Sequence, residues 1–357
     1  MTQEELTLLN IGDNLDNLMN LDPRGYGVCR ILYDASRKYT GKPLCLNAAE
    51  KLLNTVKDGD LVYIMSGFVL LDHGSAETDG IVSSVLLCRS LVLAMNAKPI
   101  IICQQDNVAA VKAMARVVGL HIYDNIDDVL SHPVSMGVIP FTTAKEKAEA
   151  QADEILSHGK PAAVIANEFP GENRVGEFHN AVGKRTTHLE AKADILFDKI
   201  KAMGILNIAI GDLGNEMGMA TILPQLDEYI PYAAEGRCNC GCGGGIAVRN
   251  AADNIITATV SDWGCYAMIA MMAYLKGDLD IMHDSALEKE VLDTAVRNGM
   301  VDMYGWHIPA IDGFSDKFNM LLVDLMRECI SYPLKLKTTC KTWFEKTIEL
   351  GFYDGKI

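Results

Sequence analysis

The sequence predicts an α/β protein: a three-layer α/β/α, doubly wound fold on a mainly parallel sheet. Three observations carry this. Short apolar runs at 61–65, 100–103, 163–166, 208–210 and 255–260 alternate with segments of helical length and period. The runs are apolar at nearly every position, as strands covered on both faces are. Several end abruptly in polar or glycine residues, at Ser66-Gly67, Asn167-Glu168, Gly211-Asp212 and Ser261-Asp262. In open α/β sheets such strand ends are where ligands sit.

Composition sets the bounds. With 357 residues, 49% of them apolar, the chain can bury a substantial core. A formal net charge of -15 repels nucleic-acid phosphates and anionic membranes, so neither is expected as a partner. The longest strongly apolar stretch, 263–275, falls short of the roughly 20 residues that a spanning helix needs. The first residues have neither a basic region nor an apolar one, so no leader is read there and the expected location is cytoplasmic. Ten cysteines, several inside apolar runs, suit reduced core thiols. Neither dinucleotide fingerprint nor P-loop occurs, so no nucleotide cofactor is expected.

In chain order, residues 1–45 read as a helical arm and a polar connection punctuated by Gly25, Gly27, Gly41 and Pro43, and are assigned no chemistry. The main domain is taken as 46–330. It opens with a helix over 47–56, a strand over 61–65 and a loop over 68–77. Thr78-Asp79-Gly80 then starts a helix over 81–97; these residues either cap it or use its free N–H groups to hold an anion. A strand at 100–103, a helix over 107–118, strands at 120–123 and 136–141 and a charged, solvent-facing helix over 145–156 follow. After the strand at 163–166 comes a loop dense in ionisable groups, including Glu168, Glu172, Arg174, Glu177, His179, Lys184 and Arg185. A helix over 188–203 leads to the strand at 208–210. Gly211, Gly214 and Gly218 let the next loop turn sharply, with Asp212, Asn215 and Glu216 lining its mouth.

A helix is read over 216–229, then an irregular segment over 230–250 carrying Cys238, Cys240 and Cys242 among glycines. Three alternate thiols could bind zinc, but a closed site wants four ligands, usually from two separated pairs. The favoured reading is therefore a glycine loop with free thiols. Beyond the strand at 255–260 stand a buried, Met-rich helix over 265–275, a helix over 287–296 and a strand-loop unit over 299–313. His283 and His307 are read as structural. Residues 316–357 read as helical and peripheral, with 331–357 a separate terminal segment and Cys329 and Cys340 ordinary thiols.

Together the motifs resemble the D-glutamate cyclase C-terminal domain family in its stand-alone, bacterial-type form. The resemblance rests on Ser66-Gly67-Phe68 with 77–80, Asn167-Glu168-Phe169-Pro170-Gly171, the run from Gly211 to Gly218, Val260-Ser261-Asp262-Trp263-Gly264, Val301-Asp302 and Ile311-Asp312-Gly313. Leu213 stands where the family has glycine, Asp262 where it has asparagine and Ala220 where it has a final glycine. The family's arginine after the second loop is missing, and Lys184 or Arg185 is nearest to replace it. The resemblance implies a lyase reaction: reversible, ATP-independent conversion of D-glutamate to 5-oxo-D-proline and water.

The residues suit that chemistry. An amine attacking a carboxylate of its own molecule needs that molecule held curled and the developing charge stabilised, by a divalent metal or by converging donors. Glu168, Asp212, Asn215 and Glu216 form an oxygen-rich set suited to Mg²⁺ or Mn²⁺. Glu168, Asp212 and Glu216 are the catalytic candidates, with Glu168 or Glu216 carrying the proton. Thr78, Asp79, Gly80, His179, Asn180, Lys184 and Asn215 are the candidates for binding the small amino-acid substrate. Two rival readings stand beside this one: a metal-dependent hydrolase or lactam-forming enzyme acting on another amino acid, and a non-catalytic metal or ligand sensor built on the cysteine loop. A homo-oligomer is compatible with so apolar a chain.

Overall fold

The apolar runs build seven strands: β1 (Leu61–Ser66), β2 (Lys98–Cys103), β3 (His121–Tyr123), β4 (Ser135–Pro140), β5 (Ala163–Asn167), β6 (Leu206–Gly211) and β7 (Asn254–Thr257). In this computed structural model, which describes residues 1–336 and 341–354 without the side chains of 341–344, they form one sheet in the order β3-β4-β2-β1-β5-β6-β7. Every neighbouring pair is parallel. The helices are α1 (Gln3–Met19), α2 (Val28–Thr40), α3 (Leu44–Thr55), α4 (Ile81–Met95), α5 (Val108–Val117), α6 (Ile126–Ser131), α7 (Lys145–Ser157), α8 (Asp194–Ala202), α9 (Leu223–Tyr229), α10 (Ser261–Lys276), α11 (Ser285–Arg297), α12 (Asp316–Leu336) and α13 (Lys341–Glu349).

Alternation along each strand divides the core into two layers. Val62, Ile64, Ile101, Ile165, Ile208 and Ile210 face α1, α3, α4, α5, α10, α11 and α12. Tyr63, Met65, Ile100, Ile102, Val164 and Ala209 face α6, α7 and α8. This is the three-layer α/β/α arrangement expected from the sequence. A smaller cluster joins Leu32 of α2, Leu226 of α9, Ile246, Val248 and Ile255 of β7.

Helix α10 is buried from Ser261 through Tyr274 and packs against α1, α3, α4 and α12. Its alanines and methionines allow that close approach from four directions. It starts four residues before the expected 265, and β7 ends at Thr257 rather than 260. The cause is that Thr259 leaves the sheet to donate its N–H to Met19 O at 2.9 Å. Ser261 and Asp262 thus form a first helical turn, not a strand-end loop. Residues 188–193, expected as helix, are irregular because Lys192 Nζ binds the carbonyls of Thr187 and Glu190.

The two chain ends differ from expectation too. Leu6, Ile11, Leu15 and Met19 make α1 a wall of the core rather than an arm. Leu322, Val323, Met326 and Ile330 do the same for α12, which runs on through position 331 and is not peripheral. Cys340 lies outside the described residues. The nine described cysteines are all free, and among the described residues no helix is long and apolar enough to cross a membrane.

Helix α3 follows Pro43, which offers no side-chain cap. Asp16 of α1 replaces it, accepting the N–H of Leu44 at 2.7 Å and of Cys45 at 3.1 Å, with the Tyr33 hydroxyl at 3.0 Å. Replacing Asp16 with Ala strands two buried backbone donors, so Asp16→Ala should cost about 2 kcal/mol or more of unfolding free energy in urea titrations. A loss under about 0.5 kcal/mol would show that this contact does not hold α1 to α3.

Candidate active site

The chain leaves β1 toward one edge of the sheet and β5 toward the other, so their carboxyl ends flank a topological switch point, where Ser66 lies opposite Asn167. Asn167 Nδ2 donates to Gly80 O, Ser83 Oγ and Ser84 Oγ, each at 2.9 Å, and so fastens the end of β5 to the start of α4. The next residue, Glu168, has φ +44°. Its N–H goes to Ile210 O and its carbonyl accepts the N–H of Gly67. A left-handed glutamate costs on the order of 1–3 kcal/mol and persists only where its surroundings dictate it. Gly80 is required opposite: a Cβ there would come within 2.5 Å of Glu168 Cβ, at φ +78°.

The loop after β6 wraps around one carboxylate. Glu216 Oε1 accepts from the N–H of Asp212 at 3.2 Å and of Leu213 at 2.8 Å, and Oε2 from Gly214 at 2.5 Å. This holds Asp212 in the wall of a cleft of about 170 Å³ that Arg24, Tyr26, Leu213, Thr259 and Asp312 also line. At roughly 30 Å³ per water, that is room for a small metabolite and not for a polymer segment. Carboxylate oxygens of Glu168, Asp212 and Glu216 come within 4.8 Å of one another, as do those of Asp79, Asp212 and Asp312, so Asp212 joins two acidic groups.

Burial and mutual repulsion raise the proton affinity of this cluster. Burial comes first for Glu168, pushed well above the usual carboxylate range, with the Glu216 charge adding to it. Burial and the Glu168 charge do the same to Asp212. Asp79 is raised by burial and by its hydrogen bond to Asp262. Glu77, although part of its surface meets solvent, is pushed up to about 8 by burial and by Asp312 and Asp302. Asp312 is pushed up to about 6 by burial, against the pull of Arg24. Arg24 Nη2 lies 2.7 Å from Asp312 Oδ2 and 3.0 Å from Thr259 O, a partly exposed guanidinium at the mouth of an acidic cleft.

The structure brings some expected site residues together and separates others. Glu168, Asp212 and Glu216 share one place. Asn215 is buried beside them, with Nδ2 on His179 O and Oδ1 without a partner among the described residues. Thr78 and Gly80 do not offer a free anion site: Thr78 Oγ1 donates to Ala310 O, and the Asp262 carboxylate fills the start of α4 by accepting from the N–H groups of Gly80 and Ser83. Asp79 lies in the acidic cluster as a carboxyl group, not as an anion receptor. His179 is buried among Cys238, Cys240 and Cys242. Asn180 accepts the N–H of Val182 and Lys184 within its own turn, and Lys184 pairs with exposed Asp72. Those three residues are not among those lining the cleft: the loop over 178–186 closes on itself and on the cysteine segment.

Sequence reading had left out Arg24, Asp312 and Ser261, whose hydroxyl donates to Glu168 Oε2 at 2.5 Å. Ser261 and Asp312 lie in motifs already noted, so their signal was present. Arg24 sits in a short turn, Asp22-Pro23-Arg24-Gly25, that no motif marks.

The family model described as "D-glutamate cyclase-like, C-terminal" matches residues 15–327. The chain belongs to the D-glutamate cyclase-like family. The match takes in α12 to Arg327 and nearly all the elements that build the cleft. Over 291 residues the chain is 26% identical to the mitochondrial D-glutamate cyclase of Homo sapiens, an overlap that covers 79% of this chain and 41% of that protein. The chain thus corresponds to less than half the length of this relative.

Glu77 and Asp312 bind protons more tightly folded than unfolded, so their contribution to stability is full below about pH 4 and is lost as pH rises through about 6 for Asp312 and about 8 for Glu77. In chelator-treated buffer, unfolding free energy should therefore fall between about pH 5 and 8, by roughly 1 kcal/mol per pH unit for each titrating group. Glu77→Gln should flatten the upper part of that slope. Unchanged pH dependence in this variant would remove Glu77 from the cluster.

Proposed function

We propose that the chain is a lyase that interconverts D-glutamate and 5-oxo-D-proline plus water. The observation that carries the reading is the meeting at one switch point of two acidic groups that share Asp212, one with Glu168 and Glu216 and the other with Asp79 and Asp312, where Asp212, Asp312 and the Arg24 guanidinium line a cleft sized for a small amino acid. The D configuration rests on the name of the human relative.

In the forward direction the substrate ammonium group loses two protons, nitrogen bonds to the side-chain carboxyl carbon, and one carboxyl oxygen leaves with both protons as water. Glu168 is suited to ferry them: burial and the Glu216 charge raise its proton affinity, so that it can take a proton from the amine, and the Ser261 hydroxyl holds its Oε2 in place. Glu216 is less suited, since three backbone N–H groups already occupy its oxygens. Its part is to fix the loop that carries Asp212. Arg24 is placed to grip the substrate α-carboxylate, exchanging part of its bond to Asp312.

A hard divalent ion, Mg²⁺ or Mn²⁺, fits the residues present: the donors are all oxygens, and among the described residues Glu168 and Asp212 are buried without a paired cation and Asn215 Oδ1 has no partner. Asp212, which belongs to both acidic groups, would hold it with Asn215. Such an ion supplies Lewis-acid polarisation of the carboxyl group under attack.

Purified protein assayed with D- and L-glutamate and both 5-oxoprolines, in each direction and with each ion, tests this reading. Turnover of the D pair supports it; no turnover of any of the four sinks it, and turnover of another lactam alone would favour the related-enzyme alternative. Glu168→Gln should lower kcat by about 10²- to 10⁴-fold with KM little changed. Arg24→Lys should mainly raise KM, by about tenfold, because a point charge replaces a two-pronged grip. A fall in KM for Arg24→Lys would contradict the assigned role.

A further inference from the structure

We propose that His179, Cys238, Cys240 and Cys242 form a closed, structural zinc site. The fourth ligand that the cysteine segment lacks comes from another loop, about sixty residues earlier in the chain. His179 Nε2 lies 3.0 Å from Cys240 Sγ and 3.5 Å from Cys242 Sγ; Cys238 Sγ lies 3.5 Å from Cys242 Sγ and 3.7 Å from Cys240 Sγ. All four ligand atoms fall within 4.8 Å of one another. A tetrahedral ion with Zn–S of about 2.3 Å and Zn–N of about 2.05 Å sets S···S near about 3.8 Å and S···N near about 3.6 Å. The four atoms therefore already surround a space of that shape.

Backbone and amide donors surround the sulfurs. Gly244 N–H at 3.4 Å and Asn173 Nδ2 at 3.5 Å are directed at Cys242 Sγ, and the N–H groups of Gly243 and Gly245 are directed at Cys238 Sγ. Such donors stabilise a metal-bound sulfur and fix its direction. The glycines between and after the cysteines are what permit the wrap. A Cβ on Gly245 would come 2.1 Å from Ala233 O, at φ +71°. Three N–H groups and an amide converging on two sulfurs are not needed by a loop of free thiols.

Binding is balanced as follows: Zn²⁺ displaces three thiol protons, which go to solvent, and takes the neutral imidazole through Nε2, leaving a site of net charge -1. With four protein ligands no position stays open for water or substrate, so the role is structural. The ion would clamp the segment over 237–245 to His179, whose carbonyl accepts Asn215 Nδ2 and so supports one wall of the acidic cleft. Soft sulfur donors here and hard oxygen donors there select different ions.

Elemental analysis of the full chain, purified under reducing conditions, should give about one zinc per chain that survives gel filtration and is released when a mercurial modifies the thiols. The wild-type protein, stripped and titrated with Co²⁺, should show thiolate-to-cobalt charge-transfer bands and strong tetrahedral d–d bands, which an all-carboxylate site cannot produce. Cys240→Ser should weaken those charge-transfer bands by about a third and lower zinc retention at least tenfold. Only a weak octahedral Co²⁺ spectrum, zinc at trace level, or a Cys238–Cys242 disulfide in the freshly purified protein would overturn the assignment. None of these readouts depends on catalytic turnover, so failure of the cyclase reading leaves them intact.

Discussion

Too many carboxyl groups share too little water at the carboxyl edge of this sheet. Glu168, Asp212, Asp79, Asp262 and Asp302 are buried there, and within the cluster Arg24 is the cation that pairs with one of its members, Asp312. In a low-dielectric interior such a group cannot all be ionised at once. Some must hold protons, some must be held by backbone donors, and the remainder is free to bind a cation or exchange a proton with substrate. The different uses made of chemically similar residues follow from that constraint.

Backbone donors select which acids are structural. Glu216 is enclosed by three N–H groups of its own loop, and Asp262 closes the start of α4 from a different helix. Asp16, which is not among the residues lining the cleft, does the same for α3. Asp262 and Asp16 each link two elements through helix-start amides, and Glu216 braces its own loop, so the acids held in this way have little capacity left for chemistry. Glu168 is the contrasting case. It stands on a strained backbone, is met by a single side-chain hydroxyl, and lies where the strand order reverses. Strain of that kind is retained where it directs a functional group.

Much of this was legible in the sequence. Continuous apolar runs gave parallel strands covered on both faces, and polar residues at their ends gave Glu168 and Asp212 as neighbours one helix apart. The expected substrate contacts that the structure engages elsewhere have a common origin. His179, Asn180 and Lys184 lie in the ionisable loop after β5, and charge density alone does not say that this loop folds back on the cysteine segment. Thr78-Asp79-Gly80 looked like a self-capped helix start because the competing cap, Asp262, is nearly two hundred residues away.

What the chain determines by itself is periodicity and chemistry: which runs are buried, where strands end, which residue types stand at those ends, and a family resemblance that the match over residues 15–327 bears out. What only tertiary structure decided is partnership. Arg24 reaches Asp312 across 288 positions, and His179 reaches Cys240 across 61. Local sequence fixes the direction of a side chain relative to its own element, whereas the identity of the group it meets depends on how separate elements pack. For buried charges and metal ligands, that meeting decides whether a residue braces the fold, carries a proton or holds an ion.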